Sequence, residues 1–174
     1  TACTAQVAEG LVVTTNSEKV RNARRNILDM LLSNHKTDCF SCPSNGDCKL
    51  QELCFEYGIE RTTYSGEQTE LPIDDSNKFF TYNPNLCILC HRCVNTCHKV
   101  VGRGAIDTME RGFDSAIGTP FHIDWADTNC ESCGNCVQAC PTGALTMKRR
   151  KNYRKYQIDK KVLTTCPHCA TGCQ

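Results

Sequence analysis

CILCHRCVNTC (87–97) and CESCGNCVQAC (130–140) place cysteines at Cys87, Cys90, Cys93 and Cys97, and 43 positions later at Cys130, Cys133, Cys136 and Cys140. The same spacing twice over makes an internal duplication the simplest account. Sixteen cysteines in 174 residues approach the density of a disulfide scaffold. Thiols separated by only two or three residues rarely suit a disulfide framework, however. A loop with a thiolate at every third residue can instead wrap one compact metal centre.

Cys-x2-Cys-x2-Cys-x3-Cys is the spacing of the bacterial 4Fe-4S ferredoxin loop, in which the fourth thiolate reaches the other cluster. Cys87, Cys90 and Cys93 with Cys140 would then hold one centre, and Cys130, Cys133 and Cys136 with Cys97 a second. Cys140-Pro141 matches the prolyl ending of that loop, whereas Cys97-His98 does not. Structural zinc usually takes cysteines as pairs separated by a longer span, so two intact four-cysteine runs favour iron and sulfide.

Upstream, HKTDCFSCPSNGDC (35–48) supplies His35, Cys39, Cys42 and Cys48, four corners for a third 4Fe-4S centre in which a neutral imidazole replaces one thiolate. One fewer anionic ligand should ease reduction, although burial and hydrogen bonds to sulfur also tune potential. Cys54, six residues beyond Cys48, has no partner left and reads as a small buried apolar residue, with a spare thiol ligand as the alternative. His91, His98, His122 and His168 lie in or near the cysteine loops without a pattern that singles them out. Cys166, Cys169 and Cys173 give three donors of a fourth centre whose last ligand is absent, and Cys3 stands isolated. Both ends therefore read as parts of something longer.

The segments between these motifs set the architecture. TNSEKVRNARRNILDMLLSNH (15–35) predicts an amphipathic helix capped by Ser17 or Asn16, with Val20, Ala23, Ile27, Met30 and Leu31 at helical spacing. CKLQELCFEYG (48–58) predicts a second, short helix stopped by Gly58, and residues 60–78 a linking loop. Each cysteine loop should lead into a short helix, with strands around FFTYN, AIDTM, FHIDW and ALTMK. An α+β fold follows: a small helical His/Cys3 domain over 17–78, then a two-cluster 4Fe-4S ferredoxin domain over 79–150.

Aromatic residues make up only 7% of the chain and mean hydropathy is −0.42, so metal–ligand bonds must supply part of the folding energy. Net charge is +1, which implies no global attraction to nucleic acid or lipid. The basic stretch KRRKNYRKYQIDKK (148–161) lacks a groove-reading motif and reads as a solvated linker. No apolar run approaches a membrane span and no signal peptide is evident. Grouped free thiols fit a reducing cytoplasm.

The ordered set H-x3-C-x2-C-x5-C, two ferredoxin runs, CPTGAL (140–145), GAIDTMERGFDSAIGTPF (104–121) and TTCPHCATGCQ (164–174) resembles the N-terminal region of molybdopterin-dependent formate dehydrogenase catalytic subunits of the NAD(P)-linked or bifurcating type. That resemblance implies a remnant of a 2Fe-2S domain over 1–16, with Cys3 as its last ligand. It also implies a linker and the start of a molybdopterin domain over 151–174, where Cys166, Cys169 and Cys173 would begin a 4Fe-4S site. A molybdenum or tungsten bis-pterin would belong to the full-length protein only, and no catalytic residue lies in this chain. The implied role is an electron relay within a hetero-oligomeric complex, toward a diaphorase, hydrogenase or ferredoxin-type subunit. Iron-only hydrogenases share the histidine motif and both ferredoxin runs. The large subunit of respiratory complex I shares the histidine motif and the tail. A stand-alone multi-cluster carrier is the remaining alternative.

Overall fold

The protein is described by a computed structural model covering residues 5–149, 157–167 and 172. Two hydrophobic cores organise it. The first lies between α1 (Glu18–Ser33) and α2 (Lys49–Glu56). Ser17, not Asn16, is the N-cap of α1: its hydroxyl accepts from the Val20 amide at 3.3 Å. The expected buried stripe needs correction, because Leu28 and Leu32 are the buried residues of α1 while Ile27 and Met30 are each 52% exposed. A single short helix covers α1, so only one pair a turn apart is enclosed, against Leu50 and Cys54 of α2. The helix α2 ends at Glu56 with Tyr57 as its C-cap, and Gly58 takes the left-handed conformation expected of it (φ 64°).

No helix or extended strand forms over 60–78; an isolated bridge pairs Asp74 with Tyr82. Side chains hold the segment instead. Asp29 of α1 accepts from the Thr62 hydroxyl and the Thr63 amide at 2.8 and 2.9 Å, and the Leu71 amide donates to the Asn85 side chain at 2.9 Å.

The second core is built on two antiparallel strand pairs. β1 (Phe80–Tyr82) pairs with β4 (Leu145–Met147), so the beginning and end of the cysteine-rich unit are stitched together. β2 (Asp107–Met109) pairs with β3 (Ala116–Gly118). Phe80, Ile106 and Ile117 are its most deeply buried large side chains. Trp125 packs edge-on to Phe80 at 5.2 Å, and the Tyr82 hydroxyl donates to the Ile117 carbonyl at 2.6 Å, joining the two strand pairs. The strand expected around FHIDW does not form, and β3 lies a few residues earlier. Pro120 opens a 3-10 turn there, and Phe121 and His122 adopt left-handed backbone (φ 58° and 56°) that no strand accommodates.

The duplication is conformational as well as sequential. Leu89 and His91 have φ of 51° and 57°; their counterparts 43 positions on, Ser132 and Gly134, have 55° and 76°. Each loop then enters a helix, α3 (Arg92–Asn95) or α4 (Asn135–Ala139). The copies part at the fourth cysteine. Pro141 forces Cys140 into extended backbone (ψ 124°), ending α4. Without a proline, the chain after α3 continues as a π-helical turn, Thr96–Val101, and stops only at left-handed Gly102. There the His98 ring takes over the bracing role, with Nε2 at 2.9 Å from the Ile106 carbonyl.

Candidate metal centres

Three cavities gather the donors that the spacing nominated. One is lined by Cys130, Cys133 and Cys136 of the second loop together with Cys97 from the first. Another is lined by Cys87, Cys90 and Cys93 with Cys140. The crossing over arises because α3 and its π-helical extension pack against α4, so each helix points its terminal thiol toward the other loop's cavity. The third is lined by His35, Cys39, Cys42 and Cys48, where α1 delivers the histidine and α2 begins directly after Cys48.

No group of three or more His, Cys, Asp or Glu among the described residues closes on a single metal ion. The donors instead ring cavities, an arrangement suited to a polynuclear group whose several metals each take one corner. Apolar residues floor the rings: Phe80, Ile106 and Trp125 in the first, Ile117 and Leu145 in the second. Within each loop the middle cysteine, Cys90 or Cys133, is exposed, while Cys93 and Cys136 are buried.

Burial sets the thiol chemistry. Desolvation, then the neighbouring thiols, push Cys136 up to about 12. Burial likewise carries Cys93 to about 12 and Cys87 to about 11, the latter opposed by the Leu89 amide. In the metal-free protein these groups are protonated thiols at neutral pH, so loading releases protons. Donors are already aimed at sulfur: the amides of Leu89, Ser132 and Ala105 lie 3.4, 3.4 and 3.3 Å from Cys87, Cys130 and Cys97. Such bonds favour the thiolate and stabilise added negative charge.

His35 carries the clearest mark of a metal ligand. It is 7% exposed, and its Nδ1 is buried without a hydrogen-bond partner. An unsatisfied buried polar atom costs about 1–3 kcal/mol, and burial lowers the pKa of this imidazole, keeping it in the neutral form that ligates metals. The donor set therefore fits an iron–sulfur centre.

Cys54 is buried against Leu28, Leu32 and Leu50, as an apolar filler would be, and also lines a space shared with His35, Cys39 and Cys48. Three of the four other histidines have structural partners: His91 with the Thr108 hydroxyl at 3.1 Å, His98 as above, and His122 with Glu110 at 2.9 Å. Cys166 is half-buried. Cys3, Cys169, Cys173 and His168 lie outside the described residues, as does much of the basic stretch. Spacing alone missed Tyr82, which lines the Cys87 cavity, and Gly143, which lines the histidine cavity. Only the glycine within CPTGAL hinted at a close approach.

Cysteine-ringed cavities on paired antiparallel strands define an iron–sulfur electron-transfer protein. Known proteins narrow the class. Residues 24–63 match the NADH-ubiquinone oxidoreductase-G iron-sulfur binding region, 78–146 the ferredoxin-like domain of NADH-quinone oxidoreductase subunit 3, and 129–174 the 4Fe-4S dicluster domain. The NADPH-Fe(3+) oxidoreductase subunit alpha of Geobacter sulfurreducens is 40% identical over 174 residues, covering 100% of this chain and 20% of that protein. The NADP-reducing hydrogenase subunit HndD of Solidesulfovibrio fructosivorans is 39% identical over 83% of this chain and 25% of its own length. The NADH-quinone oxidoreductase subunit 3 of Thermus thermophilus is 33% identical over 99% and 23%. In structure, a chain of an NAD+-reducing [NiFe]-hydrogenase in the H2-reduced state aligns with TM-score 0.78 and 30% identity, over 85% of this chain and 63% of that one. The protein is thus an iron–sulfur segment, with 4Fe-4S cluster-binding domains, of the type found in NADH-quinone oxidoreductase, NADPH-Fe(3+) oxidoreductase and NADP-reducing hydrogenase subunits. It spans about a fifth to a quarter of the length of these curated relatives.

Proposed function

We propose that this segment relays single electrons through three 4Fe-4S centres held by His35/Cys39/Cys42/Cys48, Cys87/Cys90/Cys93/Cys140 and Cys97/Cys130/Cys133/Cys136. Cys166, Cys169 and Cys173 would start a fourth. The observation that carries this reading is the sorting of twelve nominated donors into three cavities of four. Each centre would supply one-electron chemistry; the protein positions it, excludes water with apolar walls and sets its potential through N–H···S bonds. Anaerobic reconstitution followed by iron and sulfide analysis and paramagnetic resonance tests it. Binding of zinc alone, with no resonance after dithionite, would overturn it.

The relay would serve a larger oxidoreductase assembled from several subunits, with a diaphorase, hydrogenase or ferredoxin-type partner in the cytoplasm. No helix among the described residues is long and apolar enough to cross a membrane. Two catalytic contexts have specific support. The names of the relatives favour NAD(P)-linked quinone, iron or hydrogen chemistry. The motif order ending in TTCPHCATGCQ favours a formate dehydrogenase with a pterin-bound metal elsewhere in the full-length protein. Formate-dependent dye reduction by the full-length protein supports the second context; NAD(P)H- or hydrogen-dependent reduction without formate activity supports the first.

A further inference from the structure

Resting on the relay reading above, we infer that Pro141-Thr142-Gly143 is the electron-transfer junction between the histidine-containing centre and the Cys87/Cys90/Cys93/Cys140 centre, and that Gly143 sets its spacing. The segment directly follows Cys140, a donor of one cavity, and its glycine lines the other. A Cβ built on Gly143 would lie 2.7 Å from the Sγ of Cys42, 3.3 Å from Leu86 Cδ1 and 3.5 Å from Ser44 Oγ. Gly143 is not in the left-handed region, so its missing side chain answers a need for space and not for backbone freedom.

Two hydrogen bonds complete the seam. The amide of Lys49, the residue after Cys48, donates to the Pro141 carbonyl at 2.9 Å. The buried Ser44 hydroxyl donates to the Thr142 carbonyl at 3.4 Å, and that carbonyl stands 3.5 Å from the Cys140 sulfur. Ligands of two centres are therefore joined by short runs of covalent bonds and single hydrogen bonds. Along this route the reduced centre loses one electron and its neighbour gains one, with no bond broken and no proton moved. Because tunnelling falls exponentially with separation, a shift of a few tenths of an ångström here changes rate without removing any ligand.

Gly143→Ala is the direct test. Its Cβ falls about 0.7 Å short of the 3.4 Å at which ordinary contact begins, so Cys42 and the histidine centre must move away. Gly66→Ala, at a glycine with nothing within 4 Å, is the control. The whole chain is reconstituted anaerobically, reduced rapidly with dithionite and freeze-quenched. The expected result is unchanged iron and sulfide in Gly143→Ala, weaker magnetic interaction between the two reduced centres, and a several-fold slower equilibration between them. Should Gly143→Ala fail to load the histidine centre, Ser44→Ala decides, with a smaller slowing expected at full iron content. Full loading with wild-type interaction and rate in both variants overturns the junction and leaves the relay standing. A wild-type chain that binds no iron and sulfide overturns the relay itself.

Discussion

Phe80→Ala should remove the keystone of the second core. Phe80 is 1% exposed, meets Trp125 edge-on at 5.2 Å, and forms part of the wall around Cys97, Cys130, Cys133 and Cys136. Truncating a buried phenylalanine costs about 3–5 kcal/mol, of which an edge-to-face pair supplies about 0.5–1.5. Against a domain stability of about 5–15 kcal/mol, that loss is a large fraction. With a urea dependence of roughly 1–2 kcal/mol per molar for so small a unit, the midpoint should fall by roughly 1.5–5 M. Trp125 is the single tryptophan of the chain, so near-ultraviolet circular dichroism reports on this contact directly. Phe79→Ala provides the internal comparison: Phe79, the residue before Phe80, is 47% exposed, and stability should change by no more than about 0.5 kcal/mol. Equal midpoints for the two variants would refute the placement of Phe80 at the centre of the packing.

His35→Cys should retain iron while lowering the potential of the histidine-containing centre, because a thiolate adds a negative charge where a neutral imidazole stood; a redox titration followed by paramagnetic resonance showing a higher potential would contradict this. His98→Pro, which restores the ferredoxin ending, should destabilise the protein by about 3 kcal/mol, since a proline there ejects Cys97 from its helical backbone and loses the His98 contact to Ile106. A thermal melt equal to wild type would count against the braced π-helical turn. The Asp29 carboxyl is held below its ordinary value of 3.8, first by the Thr63 hydroxyl and then by the Thr63 amide. Its anchoring is therefore complete above that value and lost as pH falls through the lowered one. Asp29→Ala should make Thr63 amide exchange fast at neutral pH; unchanged protection would disprove the anchor.

The chemistry was more legible in the chain than the packing. Four-cysteine runs at a fixed offset specify loops that curl back on themselves, and the left-handed residues at 89, 91, 132 and 134 are the means of that curl. The expectation of cross-loop pairing came from the ferredoxin spacing, whose fourth cysteine reaches the other centre, and Cys97 and Cys140 each line the other loop's cavity. Tertiary events were not legible. Nothing local shows that α1 is covered by one short helix, so helical spacing nominates Ile27 and Met30 and passes over the buried Leu28 and Leu32. FHIDW has strand composition, yet Pro120 and two left-handed residues turn it into a bend. The approach of Gly143 to Cys42 joins residues about a hundred apart in sequence, a separation that periodicity does not register.

The interlocking of the two cysteine loops has a consequence for biosynthesis. A ribosome adding about 5–20 residues per second has made Cys87, Cys90 and Cys93 some seconds before Cys140 emerges. Until then the Cys87 cavity has only three of its four nominated donors, and Cys97 waits likewise for the second loop. On the relay reading neither loop cavity has all four donors until both loops are made, so a premature stop between the loops would leave only the upstream histidine-containing set complete.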